Sequence, residues 1–418
     1  MSQEEFIKNH KARVEDFIRK RILNFGVTLL LILQKSTKSL QIRLNELLML
    51  EKIPQGVTAS AYSQARHKLK HTALIELNEY VIKEYYSDDD FKTWQGYRCI
   101  GVDASKLVLP LTDEIASEFG DVIIKNGYGT KTYCGSLWEC YYDVLNHIVI
   151  KTNLNPGRKA EREAALELSI EDGKKDLLIF DRGYASYEFL VKLKELKKDY
   201  VIRCPNNVFK GADELFAWGK TGSQIKEISA PKSQGKAVRE QRLPATLRIR
   251  FVSVMLSTGE LEVLVTSLLD ASISGKAFKE LYHLRWGIEG FFDLVKNRLV
   301  LENFTGKSVE SVHQDFWSSI FISNLETILT EETDIELSEQ SSRNRYEQKV
   351  NKAITFNAIK NMVFEILYEK TDLDEIMKKL TLLFKATPTL VRPGRSLPRK
   401  RSCRRSEHFL RRIKKQVF

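Results

Sequence analysis

The chain has 418 residues, of which 43% are hydrophobic and 29% are charged, a balance typical of a soluble globular protein with two or three domains. The longest apolar run, residues 25–33, is too short for a membrane helix, and no signal peptide is visible. We therefore expect a cytoplasmic protein that has no membrane partner. The five cysteines show no Cys-x-x-Cys spacing, which argues against a zinc site and favours a reducing compartment.

Most of the positive charge lies near the end of the chain. Of a formal net charge of +11, the segment from Arg392 to Lys415 contributes +10, because eleven Lys or Arg residues there face one acid, Glu407. Such a segment is typical of an arm that folds on a polyanion such as nucleic acid. A tail that only improves solubility is the alternative.

Residues 1–95 predict a self-contained helical domain. Its first helical stretches are Phe6–Phe25, Thr28–Leu33 and Ser39–Leu50. A further helix, capped by Thr58 or Ser60, has the outward polar residues Gln64, Arg66, His67 and Lys68. A short helix, a turn and a basic second helix suit a helix-turn-helix DNA-binding domain, although many all-helical modules share that outline.

From Tyr97 onward the pattern predicts an α/β fold with a mixed sheet. The predicted strands are Arg98–Leu109, Ser136–Tyr142, Val144–Asn153, Asp176–Phe180 and Tyr200–Cys204, and the predicted helices are Arg158–Ile170 and Tyr187–Lys197. A hairpin of Arg248–Leu256 and Leu261–Leu268 lies in a stretch that this sheet does not need. We interpret residues 205–270 as a β-rich insertion, and the pattern beyond Phe304 is helical again.

These patterns divide the chain into four parts. We expect a helical N-terminal DNA-binding domain (1–95), a catalytic domain (96–330), a helical C-terminal region (331–390) and a basic tail (391–418).

The stretch from Leu281 to Thr305 predicts a helix with two distinct faces. At about 100° per residue, one face carries Tyr282, Arg285, Glu289 and Lys296. The opposite face carries the apolar residues Leu284, Ile288, Phe291, Val295 and Leu299. The polar line is suited to an anionic ligand, while the alternative is a solvated face on which Arg285 and Glu289 form an ordinary i,i+4 pair.

Three carboxylates are the candidates for chemistry. Asp103 lies in a predicted strand, Asp181 directly follows a buried one, and Glu289 lies on the polar face of the helix. Ligands of open α/β sheets bind at the carboxyl ends of strands. Carboxylates gathered there repel one another unless a cation lies between them, and hard oxygen ligands favour Mg²⁺ or Mn²⁺. Asp293, one turn further along the helix, is the rival of Glu289.

The spacing Tyr282-x2-Arg285-x3-Glu289-x6-Lys296 resembles the Tyr-Arg-Glu-Lys signature of DDE transposases of bacterial insertion sequences, in the group named after insertion sequence four. Three further segments resemble that group: DASKLVLP from Asp103, FDRGYAS around Asp181, and ENFTGKSVESVHQDFWSSIFISNL from Glu302 to Leu325. Together these matches cover roughly residues 97–330.

The resemblance implies a ribonuclease H-like catalytic core with a β insertion before the last acid. It implies that Asp103, Asp181 and Glu289 hold two Mg²⁺ ions, for which Mn²⁺ substitutes. It also implies DNA contacts by side chains near the trio, namely Tyr282, Arg285, Trp286, Lys296 and Arg182. The partners implied are transposon-end DNA with its inverted repeats, target DNA and a second copy of the chain in a homodimer.

Three functions compete at this stage. The leading one is cut-and-paste transposition by two-metal phosphodiester hydrolysis and strand transfer, through a hairpin intermediate in which Trp286 stacks on an unpaired base. Trp286 as an ordinary core or surface aromatic is the alternative for that residue. The second function is a tyrosine recombinase-like enzyme with Tyr282 as nucleophile. The third is a DNA-binding regulator with an inactive core.

Overall fold

The computed structural model describes residues 3–19, 21–36, 38–50, 52–126, 129–167, 170, 173–231, 244–341, 344–367 and 372–392. The basic tail predicted for residues 391–418 therefore lies, beyond Arg392, outside the described residues.

The described part of the chain contains both helices and strands. The helices are α1 (Gln3–His10), α2 (Phe25–Leu33), α3 (Leu40–Met49), α4 (Ala59–Arg66), α5 (Thr72–Tyr85), α6 (Asp113–Phe119), α7 (Glu161–Glu167), α8 (Tyr187–Glu195), α9 (Lys210–Trp218), α10 (Gly275–Leu284), α11 (Trp286–Asp293), α12 (Val309–Gln340), α13 (Lys352–Asn361), α14 (Val363–Leu367) and α15 (Leu373–Ala386). The strands are β1 (Arg98–Leu109), β2 (Asp121–Asn126), β3 (Gly129–Asp143), β4 (Ile148–Pro156), β5 (Asp176–Phe180), β6 (Asp199–Cys204), β7 (Gly222–Ser229), β8 (Thr246–Met255), β9 (Leu261–Thr266), β10 (Glu347–Lys349) and β11 (Thr389–Val391). A 3₁₀ turn spans Arg182–Tyr184, and a π-helix spans Leu294–Arg298.

One compact unit consists of the described parts of Met1–Asp88, Val108–Cys134 and Leu294–Phe418. Its longest helix, α12, starts with a capping box in which Ser308 and Ser311 satisfy each other's backbone N–H groups. Helices α2, α5, α13 and α15 pack against α12. Buried polar side chains on α12 are paired, as in the 2.9 Å bond that the Asn324 amide donates to Asn78 on α5.

The described residues up to Asp88 share this compact unit with later parts of the chain. Helices α2 and α5 pack against α12, which begins at Val309. Sequence periodicity shows which face of a helix is apolar, but it does not show which partner covers that face.

Two details of the N-terminal prediction are corrected. The helix predicted over Phe6–Phe25 ends at His10, and Phe17 has a left-handed backbone with φ of 58°. Arg66, predicted to face outward for DNA, is buried. Its Nη2 is 2.9 Å from Asp315 Oδ1, and its Nε donates to Gln314 Oε1 at 2.6 Å. A guanidinium paired in this way joins α4 to α12 and is not exposed to a ligand.

The other compact unit, Asp89–Leu107 and Gly135–Asp293, contains the mixed sheet. Its strand order is β3-β1-β5-β6-β9-β8-β7, and β4 pairs with β3. Strands β1, β5 and β6 are parallel to one another, whereas the β3–β4, β6–β9, β9–β8 and β8–β7 pairs are antiparallel. The mixed α/β sheet and the ribonuclease H-like arrangement expected from the sequence are confirmed.

The insertion predicted at 205–270 extends this sheet. Strand β9 pairs with β6 from Val201↔Thr266 to Cys204↔Val263, so the hairpin of β8 and β9 continues the hydrogen-bonded ladder. The hairpin itself was predicted correctly, because its alternating strands and Gly-containing turn are local signals.

Among the described residues, no helix is long and apolar enough to cross a membrane.

Candidate active site

The register of the parallel strands brings Asp103 and Asp181 to the same level. Strand β1 pairs with β5 from Arg98↔Asp176 to Gly101↔Ile179. A buried ion pair fixes this register at its start, where Arg98 Nε is 2.7 Å from Asp176 Oδ1. Asp103 and Asp181 each lie two residues beyond the last paired residues. Neighbouring strands are only about 4.8 Å apart, so the two carboxylates stand side by side at the carboxyl end of β5.

Close packing of α11 against the sheet brings Glu289 toward Asp103. Gly101 makes this approach possible, because a Cβ at this position would lie 2.9 Å from Val144 Cγ1 and 3.6 Å from the side chain of Ile288. The helix is held further along by aromatic contacts, including stacking of Phe291 on Tyr142 with ring centroids 4.7 Å apart. The side chain of Ile288 thus anchors the helix directly beside Glu289.

Arg285 lies between two of the candidate carboxylates. Its Nη2 donates to Glu289 Oε1 at 2.7 Å, and its Nη1 is 3.9 Å from Asp103 Oδ2. The residue is only 5% exposed, so Arg285 and Glu289 do form the i,i+4 pair considered above, but Arg285 does not lie on a solvated face. A buried guanidinium stabilises ionised carboxylates on both sides of it.

The predicted regular helix is interrupted at Arg285. Helix α10 ends at Leu284 and α11 begins at Trp286, and the amides of Arg285 and Ile288 bond the carbonyls three residues earlier, Tyr282 and Arg285. From Leu294 the chain turns as a π-helix. The spacing of about 100° per residue that grouped Lys296 with Glu289 therefore does not apply across the whole stretch. The buried stripe of Ile288, Phe291, Val295 and Leu299 was predicted correctly, whereas Leu284 is half-buried.

The environment of Asp103 is electrostatically unusual. Burial raises its pKa from 3.8 to about 6, and the negative charges of Asp181 and Glu289 raise it as well. The backbone N–H of Ala104, which donates at 2.8 Å, and the charge of Arg285 act in the opposite direction. The three carboxylates are thus close enough to influence one another, and a cation placed among them would relieve their repulsion.

The donor set suits a hard divalent cation in its chemistry, because all three side chains offer carboxylate oxygens. Over the described ranges, however, no three His, Cys, Asp or Glu side chains stand close enough together to hold a metal ion. The guanidinium of Arg285 takes up one oxygen of Glu289 in this arrangement.

The loop that carries Asp181 is held by its own backbone and by a second arginine. Asp181 caps the 3₁₀ turn by accepting from the Gly183 N–H at 2.6 Å. A Cβ at Gly183 would lie 2.9 Å from the same carboxylate oxygen, so a larger residue there would require the Asp181 carboxylate to shift. The Arg162 guanidinium donates to the Gly183 carbonyl through Nε at 2.8 Å. These bonds restrict the position of the Asp181 carboxylate.

The predicted DNA-contact residues differ in their surroundings. Trp286 is 48% exposed, and its ring centroid is 4.9 Å from the Arg285 guanidinium carbon. Arg182 is also exposed. Tyr282 is buried, and burial raises its pKa above the ordinary range. Lys296 lies in the π-helix, which belongs to the other compact unit.

Sequence reasoning missed two arginines near these groups. One is Arg162 on α7, described above. The other is Arg203 on β6, which bonds the buried Glu262 of β9 at 3.0 Å and lies within electrostatic reach of Tyr282. The available signal for Arg203 was a charged residue inside an otherwise apolar strand, which indicates an ion pair or a ligand.

Comparison with known proteins identifies the family of the chain. Residues 94–325, more than half of the chain, match the family described as "Transposase DDE domain". The chain belongs to this family. It is therefore a metal-dependent nuclease and DNA strand transferase of the DDE type, which acts on transposon DNA.

One solved structure with a detectable likeness is the cryo-EM structure of the piggyBac transposase synaptic complex with hairpin DNA. The identity is 10%, the match covers 86% of this chain and 75% of that chain, and the TM-score is 0.40. A comparison with curated protein sequences found no match. The family assignment depends on the match over residues 94–325.

Proposed function

We propose that Asp103, Asp181 and Glu289 are the catalytic carboxylates of this transposase and hold its divalent ions, with Mg²⁺ as the usual ion and Mn²⁺ as a substitute. One observation carries the proposal. A single buried guanidinium, Arg285, lies 2.7 Å from Glu289 and 3.9 Å from Asp103, while Asp181 lies at the same sheet level as Asp103. Carboxylates on separate elements that converge at a sheet end are the arrangement expected for such chemistry.

Two bound divalent ions would activate the attacking water or 3′-hydroxyl and stabilise the leaving oxygen of the phosphodiester. The chain itself contributes positioning. The Gly183 N–H and the Arg162 guanidinium restrict the Asp181 loop, and Gly101 allows α11 to approach Asp103. Arg285 neutralises Glu289 before ligands arrive, and once Glu289 turns away, the guanidinium is available for a DNA phosphate.

We assign DNA contacts to Arg285, Trp286, Lys296, Arg182 and Tyr282. Exposed Arg182 and Trp286 support direct contact, because both are accessible beside the carboxylates. Tyr282 is buried in this state, so its contact requires a local opening around the phenol. The same burial disfavours the alternative of a tyrosine recombinase, since a covalent nucleophile must reach its phosphate.

The spacing of Tyr282, Arg285, Glu289 and Lys296 supports membership of the Tyr-Arg-Glu-Lys group of insertion-sequence transposases. On this basis we propose cut-and-paste transposition in which a homodimer pairs two transposon ends and joins them to target DNA. The freed 3′-hydroxyl of the first strand attacks the second strand and leaves a hairpin. Sharp bending of this kind expels a base from the stack, and the exposed ring of Trp286 offers a surface for it.

The test of the trio is a cleavage assay on end-labelled DNA from the borders of the element. Asp103→Asn, Asp181→Asn and Glu289→Gln are each expected to abolish cleavage in Mg²⁺ while leaving DNA binding largely intact, because phosphate contacts lie elsewhere. Asp293→Asn is the matched control, since this exposed carboxylate lies one turn from Glu289. Cleavage that survives Glu289→Gln and is lost in Asp293→Asn would assign the third position to Asp293.

The hairpin route has its own test. Trp286→Ala is expected to lose hairpin formation while first-strand nicking continues, as seen on denaturing gels. Trp218→Ala is the control, because Trp218 is 54% exposed in the same compact unit but lies on α9. Double-strand breaks without a hairpin species at any time point would exclude the route.

A further inference from the structure

A basic groove lies in the unit that contains the helical regions. Its wall is formed by the loop after α2 and the start of α3, by the end of the π-helix and the chain that follows it, and by α13. It encloses a cavity of about 640 Å³. Six cationic side chains line it: Lys35, Lys38, Arg43, Arg298, Lys352 and Lys360. Its described lining also contains four asparagines and one glutamine, but no Asp or Glu. Arginine, lysine and amide side chains are those that contact DNA phosphates and sugars most often.

The cations of this groove are only partly balanced. Lys38 and Arg43 share one carboxylate, that of Glu46, and Lys352 pairs with Glu326. The ammonium of Lys35 donates to the Leu301 carbonyl at 2.8 Å, and that of Lys360 donates to the Lys35 carbonyl at 3.0 Å. The ammonium groups of these two lysines therefore donate to neutral carbonyls. The negative charge of Asp315 acts on both, but this carboxylate is already ion-paired with Arg66, so a bound anion would add negative charge to the groove.

The two central lysines are also unfavourably placed without an anion. Burial lowers the pKa of Lys35 to about 8, and burial followed by the charges of Lys35 and Arg43 lowers that of Lys360 to about 8. Like charges held together in a poorly solvated site are a candidate for binding a ligand of opposite charge.

The backbone that presents Arg298 is itself unusual. Arg298 is exposed at the end of the π-helix Leu294–Arg298, and Val300, two residues later, has a φ of 52°. A β-branched residue rarely adopts this left-handed conformation, and such strain is concentrated at ligand-binding and active sites.

We propose that this groove binds the sugar-phosphate backbone of duplex DNA at a place apart from the carboxylate trio. The proposal rests on the proposed function in so far as the DNA is the substrate of the transposase. A polyanion fits better than a single small anion, because the cations come from three separate chain segments around a cavity far larger than one phosphate group. Each bound phosphate would release counterions, which makes the binding sensitive to salt.

The experiment measures binding of the full chain to a fluorescein-labelled random duplex of about 40 base pairs, long enough to span several phosphate contacts. Anisotropy is recorded between 50 and 200 mM KCl in EDTA, which prevents cleavage. Arg298→Gln is expected to weaken binding and to lower the slope of log K against log salt by about 0.9, the value for one phosphate contact. Between 50 and 200 mM KCl, this difference in slope means that the variant loses roughly 3-fold less affinity than the wild type does. Lys379→Gln on α15 of the same unit is the control, and its slope is expected to match the wild type.

Lys360→Met, measured in the same binding assay, tests the interior of the groove. Circular dichroism checks that this variant is folded. A second measurement on the wild type requires no substitution: bound duplex should protect exposed Lys38 from acetylation but leave exposed Lys379 reactive. An unchanged salt slope in Arg298→Gln, or equal acetylation of Lys38 with and without DNA, would overturn the proposal.

Different results would refute the groove proposal and the catalytic assignment of the three carboxylates. If groove variants bind normally while Asp103→Asn abolishes cleavage, only the groove proposal is refuted. If the groove variants lose affinity while cleavage survives the trio substitutions, the groove stands and the catalytic assignment is refuted.

Discussion

Asp103→Asn should make the metal-free protein more stable while it abolishes cleavage. The charged form of this side chain is disfavoured in the fold, since burial and the neighbouring carboxylates raise its pKa from 3.8 to about 6. Each tenfold change in a protonation equilibrium is worth about 1.4 kcal/mol, so ionised Asp103 costs roughly 3 kcal/mol of folding free energy at pH 7. A neutral asparagine of the same shape avoids that cost.

The difference in stability between Asp103→Asn and the wild type should increase with pH. Well below pH 3.8 the aspartate is protonated in both the folded and the unfolded chain, so wild type and variant should have similar stability. As the pH rises from 4 to 6, the unfolded chain releases the proton first, and the wild type loses stability that the variant keeps. Above pH 6 to 7 the difference should be constant.

Urea denaturation in EDTA at pH 4.5, 5.5, 6.5 and 7.5 measures this difference, with Asp293→Asn as the control for a change of charge on an exposed carboxylate. The reasoning fails if Asp103→Asn is no more stable than the wild type at pH 7.5, or if its advantage does not shrink toward low pH. Divalent metal in place of EDTA should stabilise the wild type more than the variant, because the ion offsets the charge repulsion.

Three further predictions concern other parts of the chain. Gly183→Ala should lower the cleavage rate roughly 100-fold with little change in thermal stability, because its Cβ would displace the Asp181 carboxylate; single-turnover kinetics measure the rate, and unchanged kinetics would contradict the role given to Gly183. Arg66→Met should cost about 3–5 kcal/mol in urea denaturation, since it removes the ion-pair partner of buried Asp315, and adding Asp315→Leu should recover much of the loss; a double variant no more stable than Arg66→Met would refute this reason. Deleting residues 393–418 should lower the salt slope of DNA binding by roughly 4–6, and an unchanged slope would favour a tail that serves solubility.

Much of the catalytic core could be predicted from the sequence because its signals are local. Strands β1 and β5 were predicted with the residues at which they begin and end, since a short apolar run bounded by polar residues is a strong pattern. The side-by-side position of Asp103 and Asp181 also follows from parallel pairing, once each is placed near the end of its strand.

The sequence by itself therefore determined the α/β class, the central strands, the hairpin of β8 and β9, and the residue types offered for chemistry. Only the tertiary structure decided which charges are buried and what lies opposite them. Arg66 and Arg285 both lie in stretches that the sequence predicts to be helical. Arg66 joins α4 to α12, whereas Arg285 lies between Glu289 and Asp103. The physical reason is that helical and strand periodicities depend on near neighbours, whereas the burial of a charge depends on partners far away in the chain.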